Sequence, residues 1–342
     1  MEKFNVLLHP ENAFAYDAFG RWTKITRSDG FVSATYDDTT GKLVSLQDSK
    51  GASLAFAYSG ARLTGVTSGG ENPGTLTFDH DTHGRVYHEV LDGKSQLIEY
   101  DEDDLIVAAG PVKVTRSAES GAIASIQAAG TSETIDLSED PGSPLPSLGE
   151  PVHWRVSSQG AGIYDLRVVR DGIGRIQKRE ETIENTLRSY TFGYDEVGRL
   201  ADVSLNGALV SHYAYDANGN RTNETVGNIP STYGPGDLLL SQGGATFEYD
   251  GRGNRTTRTS GAQKTTYAHG QLGALEKWAS GTTTVEYALD PMGRRVGRRE
   301  NGTATHRWVY LNGTLPVAEY DSANKLRWRF IYATGRHVPD AA

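Results

Sequence analysis

The chain has 342 residues, of which 40 are glycine and 12 proline, with 17 tyrosines against 9 phenylalanines; this is an inventory for turns and strands rather than helices. A formal charge of −9 argues against a nucleic-acid partner held through its phosphates. With no cysteine there is neither a disulfide nor a thiolate metal site, and the sequence shows neither a signal peptide after Met1 nor an apolar run of about 20 residues able to span a membrane.

In chain order, the first feature is a repeat. Tyr16-Asp17, with Gly20-Arg21 behind it, opens a series continued by Tyr36-Asp37 (Gly41), Tyr58-Ser59, Phe78-Asp79 (Gly84-Arg85) and Tyr100-Asp101, at steps of 20, 22, 20 and 22 residues. The pattern fades from Glu102 to about Leu166. Within that stretch Val112 to Ile126 still reads as strand, turn and strand, whereas the proline-rich Asp140 to Pro146 cannot be a central strand; a surface loop is expected at about Asp136 to Pro151. The signature returns at Asp171 (Gly174-Arg175), Tyr194-Asp195, Tyr215-Asp216, Tyr249-Asp250 (Gly253), Tyr267 and Asp290 (Gly293-Arg294), and closes on Tyr310, Tyr320-Asp321 and Tyr332. The expected organisation is therefore repeats over 1–102, a degenerate hairpin and proline-rich region over 103–166, and repeats again over 167–342.

The clearest period shows what one unit contains. Tyr194-Asp195 leads to Gly198-Arg199, and 21 residues after Tyr194 come Tyr215-Asp216 with Gly219 and Arg221. An aspartate three residues before a glycine is turn chemistry. Midway lies Asn206-Gly207, two residues that tolerate the positive φ of a type I′ hairpin turn. One period thus holds two strands and two turns. Alternate aromatics (Tyr190, Phe192 and Tyr194; His306, Trp308 and Tyr310; Trp328, Phe330 and Tyr332) mark one face of each strand. Stacking of each strand-end tyrosine on its counterpart in the next hairpin is the expected role of these rings, and a sugar-binding platform is the functional alternative.

Other chemistry is sparse. His80, His83 and His88 crowd near Asp79 and Asp81 but decorate a turn. Asp216 to Asn220 starts like a calcium loop, yet its glycine comes fourth rather than sixth and no glutamate stands at the twelfth place. Asp101 to Asp104 reads as a solvated acidic face. The sequence offers no phosphate loop, nucleophile elbow or zinc-protease helix, so no catalytic residue, cofactor or metal is expected.

Tyr-Asp-x-x-Gly-Arg-Leu at this spacing resembles the YD repeat of the RHS proteins, the bacterial relatives of teneurins. The resemblance is strong from about Asp165 to Pro339 and fair from Tyr16 to Asp101. Tyr287 to Pro339 is similar to the closing part of the RHS core, through Asp290-Pro-Met-Gly-Arg-Arg, Asn301-Gly302, Pro316 to Asp321, Phe330-Ile-Tyr332 and Val338-Pro339. What the resemblance implies is an all-β array of antiparallel hairpins, coiled as a spiralling sheet into a shell or part of one. It also implies a non-enzymatic scaffold that encloses or presents a C-terminal toxin or effector, within a longer RHS polypeptide that is secreted or displayed on a bacterial surface. Asp290-Pro-Met-Gly resembles the family's aspartate cleavage region, but it falls on a repeat turn and is read as one. The alternative reading is a stand-alone module that binds a glycan or cell-surface receptor; an enzyme acting in the groove of the sheet comes third.

Overall fold

The structure is a computed structural model and describes residues 13–27, 30–118, 121–128, 130–136, 152–224, 226–270, 273–335 and 337–342. It is an all-β fold: 31 strands form one antiparallel sheet, with no α-helix among the described residues and a single 3-10 turn at Pro235–Asp237. Strands pair with their neighbours in sequence, so the chain zigzags along the sheet. Val112–Arg116 and Ile123–Ala128 are two of these strands and pair antiparallel with each other. The proline-rich segment of 137–151 lies outside the described residues.

Two kinds of turn alternate, and each follows from its residues. Asn206 and Gly207 have φ of 50° and 83°, the positive pair of a type I′ turn between Leu200–Leu205 and Ala208–Tyr215. At the other end of the hairpin, the amide of Gly198 donates to the carbonyl of Asp195 at 2.9 Å, and the amide of Asp195 to that of Arg199 at 2.8 Å. Gly198 sits at φ 89°. This is a type I turn closed by a glycine bulge, and it explains why the pairing slips by one residue as Tyr194 meets Leu200.

The chain divides into two compact units, one of residues 1–98, 265–330 and 342, the other of residues 99–264 and 331–341. In the first, Leu54, Leu76, Leu91, Val285 and Val317 are fully buried, and Phe78, Val296 and Tyr320 nearly so. The second buries Val112, Val114, Ile126, Val168, Phe247 and Ile331. Its central strands are different. From Ile176 to Glu224 no described apolar side chain is buried, although these are the repeats whose signature is sharpest. Apolar side chains that are only partly covered, such as Ile176, Phe192, Val203 and Leu205, gain less from the hydrophobic effect, so another interaction adds to what holds these strands.

Candidate functional site

That interaction is built from the signature residues themselves. Asp195 Oδ1 accepts the amides of Val197 (3.1 Å) and Arg199 (2.8 Å), which fixes the turn, while Oδ2 accepts Arg199 Nε at 2.7 Å. The guanidinium thus oriented lies under the next repeat's tyrosine, its Cζ 4.5 Å from the ring centre of Tyr215. The Tyr215 hydroxyl then donates to the carbonyl of Leu200 at 2.6 Å. Aspartate, arginine and the following tyrosine form one clamp that ties this hairpin to the next.

The clamp recurs. Asp171 holds Arg175 at 2.7 Å, the Arg175 guanidinium lies 4.2 Å from the Tyr194 ring, and Tyr194 donates to the carbonyl of Ile176 at 2.6 Å. Asp290 holds Arg294 at 2.6 Å, with Arg294 5.1 Å from the Tyr310 ring and Tyr310 donating to the carbonyl of Arg295 at 2.9 Å. Asp17 holds Arg21 at 2.6 Å, and Arg21 sits 4.5 Å from the Tyr36 ring. Gly20 and Gly293 take the bulge position at φ 78° and 77°.

Several positions differ from the sequence expectation. Tyr36, Tyr194, Tyr215 and Tyr310 meet a guanidinium group of the preceding repeat rather than the preceding tyrosine, and Tyr58 meets the Lys42 ammonium at 4.9 Å. The ring pairs that do stack, Phe14 with Tyr16 and Tyr190 with Phe192, both at 6.5 Å, and His306 with Trp308 at 5.6 Å, each lie along a single strand. Arg221 is not the clamp residue of its turn. Asn220 is, donating to Asp216 Oδ2 at 3.1 Å, while Arg221 lies one residue on with its guanidinium 4.8 Å from the Tyr213 ring. Gly219 keeps φ 88° there. In the turn after Tyr249, likewise, Asn254 serves Asp250 at 3.0 Å and Gly253 has φ 82°. The loop after Tyr36 is one residue longer: Gly41 donates to the carbonyl of Asp37, and the Thr40 hydroxyl replaces the guanidinium on Asp37 Oδ1 at 2.7 Å.

Phe78-Asp79 proves to be out of phase. The turn belongs to Asp81, whose Oδ2 accepts Arg85 Nε at 2.7 Å, and the strand-end place is taken by His80 opposite Val86. The signal that finds it is the fixed spacing: Gly84 and Arg85 follow Asp81 by three and four residues, as Gly198 and Arg199 follow Asp195. Asp79 instead meets His88 at 2.8 Å, and His83 gives only its amide to Asp81.

Electrostatics accord with this use of the carboxylates. Burial works against ionisation at Asp195, but the Arg199 side chain and the turn amides outweigh it and hold the carboxyl below its ordinary range. The same balance lowers Asp17, Asp81, Asp171, Asp216 and Asp250, and hydrogen bonds from Thr40 lower Asp37. Asp290 is 5% exposed and engages Met292 N, Arg294 N and Arg294 Nε, so its carboxylate is spent on the turn. Each of these acids accepts hydrogen bonds from donors of its own turn.

A family model described as the teneurin YD-shell matches residues 13–341, nearly the whole chain. The chain belongs to the teneurin YD-shell family. Among individual proteins, teneurin-4 of Homo sapiens is 29% identical over 162 residues, and teneurin-4 of Mus musculus 31% over the same length. Those matches cover 45% of the YD-shell chain but only 6% of either teneurin. Among solved structures, a TcdB2-TccC3 crystal structure covers 92% of the chain with 21% of its own length, at TM-score 0.44 and 11% identity. The Photorhabdus luminescens Tc holotoxin pore covers 96% at TM-score 0.33 and 10% identity. As a YD-shell member the chain is a structural shell scaffold.

Proposed function

We propose that the chain is a stretch of shell wall that encloses or presents a toxin or effector domain carried C-terminally in a longer, secreted or surface-displayed bacterial polypeptide. The observation carrying this reading is the clamp. It ties hairpins together where apolar side chains are only partly buried, which suits a wall whose two faces meet different surroundings. With their carboxylates committed to turns, the signature residues act as structure and the reading is non-enzymatic. The test is to express the chain with whatever its reading frame encodes beyond Ala342 and to compare protease digestion of that downstream polypeptide attached and alone. Protection only in the attached form is expected; equal digestion would remove the encapsulation reading.

A second reading, glycan or receptor binding, draws on one cluster. His306 stacks on Trp308 with rings 5° from parallel, Trp308 Nε1 donates to Glu319 at 3.1 Å, and across the next strand Trp328, opposite Glu319, is 45% exposed. An indole beside a carboxylate suits a pyranose face and its hydroxyls. A glycan array probed with the chain and with Trp328→Ala decides it: retention that the substitution abolishes supports binding, and an empty array dismisses it.

A further inference from the structure

In the first unit, residues 49–94 meet residues 276–329, more than 200 positions away in sequence. The described strands on both sides pair with their sequence neighbours and not with each other. The contact is made by side chains, with two of them also reaching backbone carbonyls across it. Arg307, 7% exposed, is its centre: its guanidinium donates to the carbonyl of Pro73, its Nε donates to Asn324 Oδ1 at 2.9 Å, it approaches Asp92 at 3.7 Å, and it lies 3.7 Å from the Tyr320 ring. The Tyr320 hydroxyl donates to Asp92 Oδ2 at 2.5 Å. Beside it Arg329 joins the buried Glu89 at 2.7 Å and the carbonyl of Lys94 at 2.9 Å. Two more exposed pairs flank these, Arg299 with Glu71 at 2.9 Å and Lys50 with Glu276 at 2.5 Å.

We propose that this seam is a releasable latch: residues 276–329 can part from residues 49–94 as an intact block, with no strand pairing broken on either side. The physical ground is that ladder hydrogen bonds and seam contacts involve different atoms. Separation exposes Arg307, Arg329, Glu89 and Asp92 to water, which hydrates ions well, together with the buried Val309 that faces Gly74; unpairing strands would in addition strand backbone groups. Gly74 marks how close the halves come, since a Cβ built there would lie 2.8 Å from Val309 Cγ2 and 3.3 Å from an Arg307 nitrogen. Its φ is not in the left-handed region, so a side chain at this position wedges the seam without straining the turn. The consequence, access to whatever the wall encloses, rests on the shell reading; the latch itself does not.

The full chain has no cysteine, so Glu71→Cys with Arg299→Cys creates one reporter pair across the seam. Crosslinking by a short bis-maleimide measures closure directly. Introducing Gly74→Leu, or separately Arg307→Gln, is expected to slow crosslinking by about tenfold, as overpacking or loss of a buried partner would. Strand content by circular dichroism and amide protection over Ile176–Tyr215 are expected to stay as in the parent. Unchanged crosslinking in both variants overturns the latch, and so does loss of strand content along with it, since the seam would then be part of the cooperative core. Cargo protection is not read in this assay, so the two ideas fail separately.

Discussion

At the residue scale, the clamp distributes one job over three side chains, and each makes a separable contribution. Tyr215→Phe removes only the hydroxyl donated to the Leu200 carbonyl and is expected to cost about 1 kcal/mol, a typical single hydrogen bond. The ring on Arg199 is tested by a double-mutant cycle of Tyr215→Ala with Arg199→Gln, expected to show coupling of about 0.5–1 kcal/mol. A parallel cycle of Tyr194→Ala with Tyr215→Ala is expected to give less, because the two rings stack on different arginines. Larger coupling in the second cycle would restore the tyrosine ladder. Tyr320 gives a pH signature of its own. Burial, then the hydrogen bond to Asp92, push its hydroxyl from 10.0 up to about 12. A group raised in the folded state favours folding while protonated, so this contribution is complete below pH 10.0 and is lost as pH climbs toward 12. Alkaline melts of the chain and of Tyr320→Phe check it, the variant losing that part of the slope.

At the element scale, the repeats are unequal, and the inequality follows from what fills the arginine position. Turns at Asp216 and Asp250 carry asparagine, which reaches its aspartate but cannot extend under the next ring. The turn from Gly234 to Leu238 has no aspartate at its first position, and among the described residues two backbone pairs, one of them through Pro230, and the Tyr233 hydroxyl on the Arg221 carbonyl join Arg221–Glu224 to Ile229–Tyr233. Asn223 Oδ1 is buried without a hydrogen-bond partner. Amide exchange is therefore expected to be faster over 221–242 than over 176–215 within the same unit; equal protection would mean that the guanidinium link adds nothing. These differences also show what a sequence can and cannot reveal. The hairpin period and the Asn206-Gly207 turn were legible because a positive-φ requirement is local and acts through the residue itself. The partner of Tyr215 was not, since Arg199 lies 16 residues back and reaches the ring only once the strands are in register. Phe78-Asp79 misled because it copies the appearance of the signature two residues ahead of Asp81, where the hydrogen bonds actually form.

On the scale of the whole molecule, the same small device repeated along the sheet turns a local property into a global one. Seven described turn acids (Asp17, Asp37, Asp81, Asp171, Asp195, Asp216 and Asp250) are held below their ordinary value of 3.8 by donors in their own turns. A carboxyl depressed in the folded state contributes stability above 3.8 that disappears as pH falls through its folded value. Each contribution is small because these groups face water, but all are shifted in one direction. Glu89 runs the other way: burial raises it, against the pull of Arg329, so acid relieves rather than weakens that single site. The sum is expected to be a steep acid transition below pH 3.8, in which unfolding takes up several protons per chain. Thermal melts in small pH steps give that uptake from the slope of stability against pH. Replacing Asp171 and Asp195 together by asparagine is expected to lower stability at pH 7 and to flatten the acid slope, because two of the titrating turns no longer titrate. A slope that stays as steep in the double variant would show that the turn carboxylates are not what the acid attacks, and the clamp would lose its place among the interactions holding the partly buried repeats of 176–224 together.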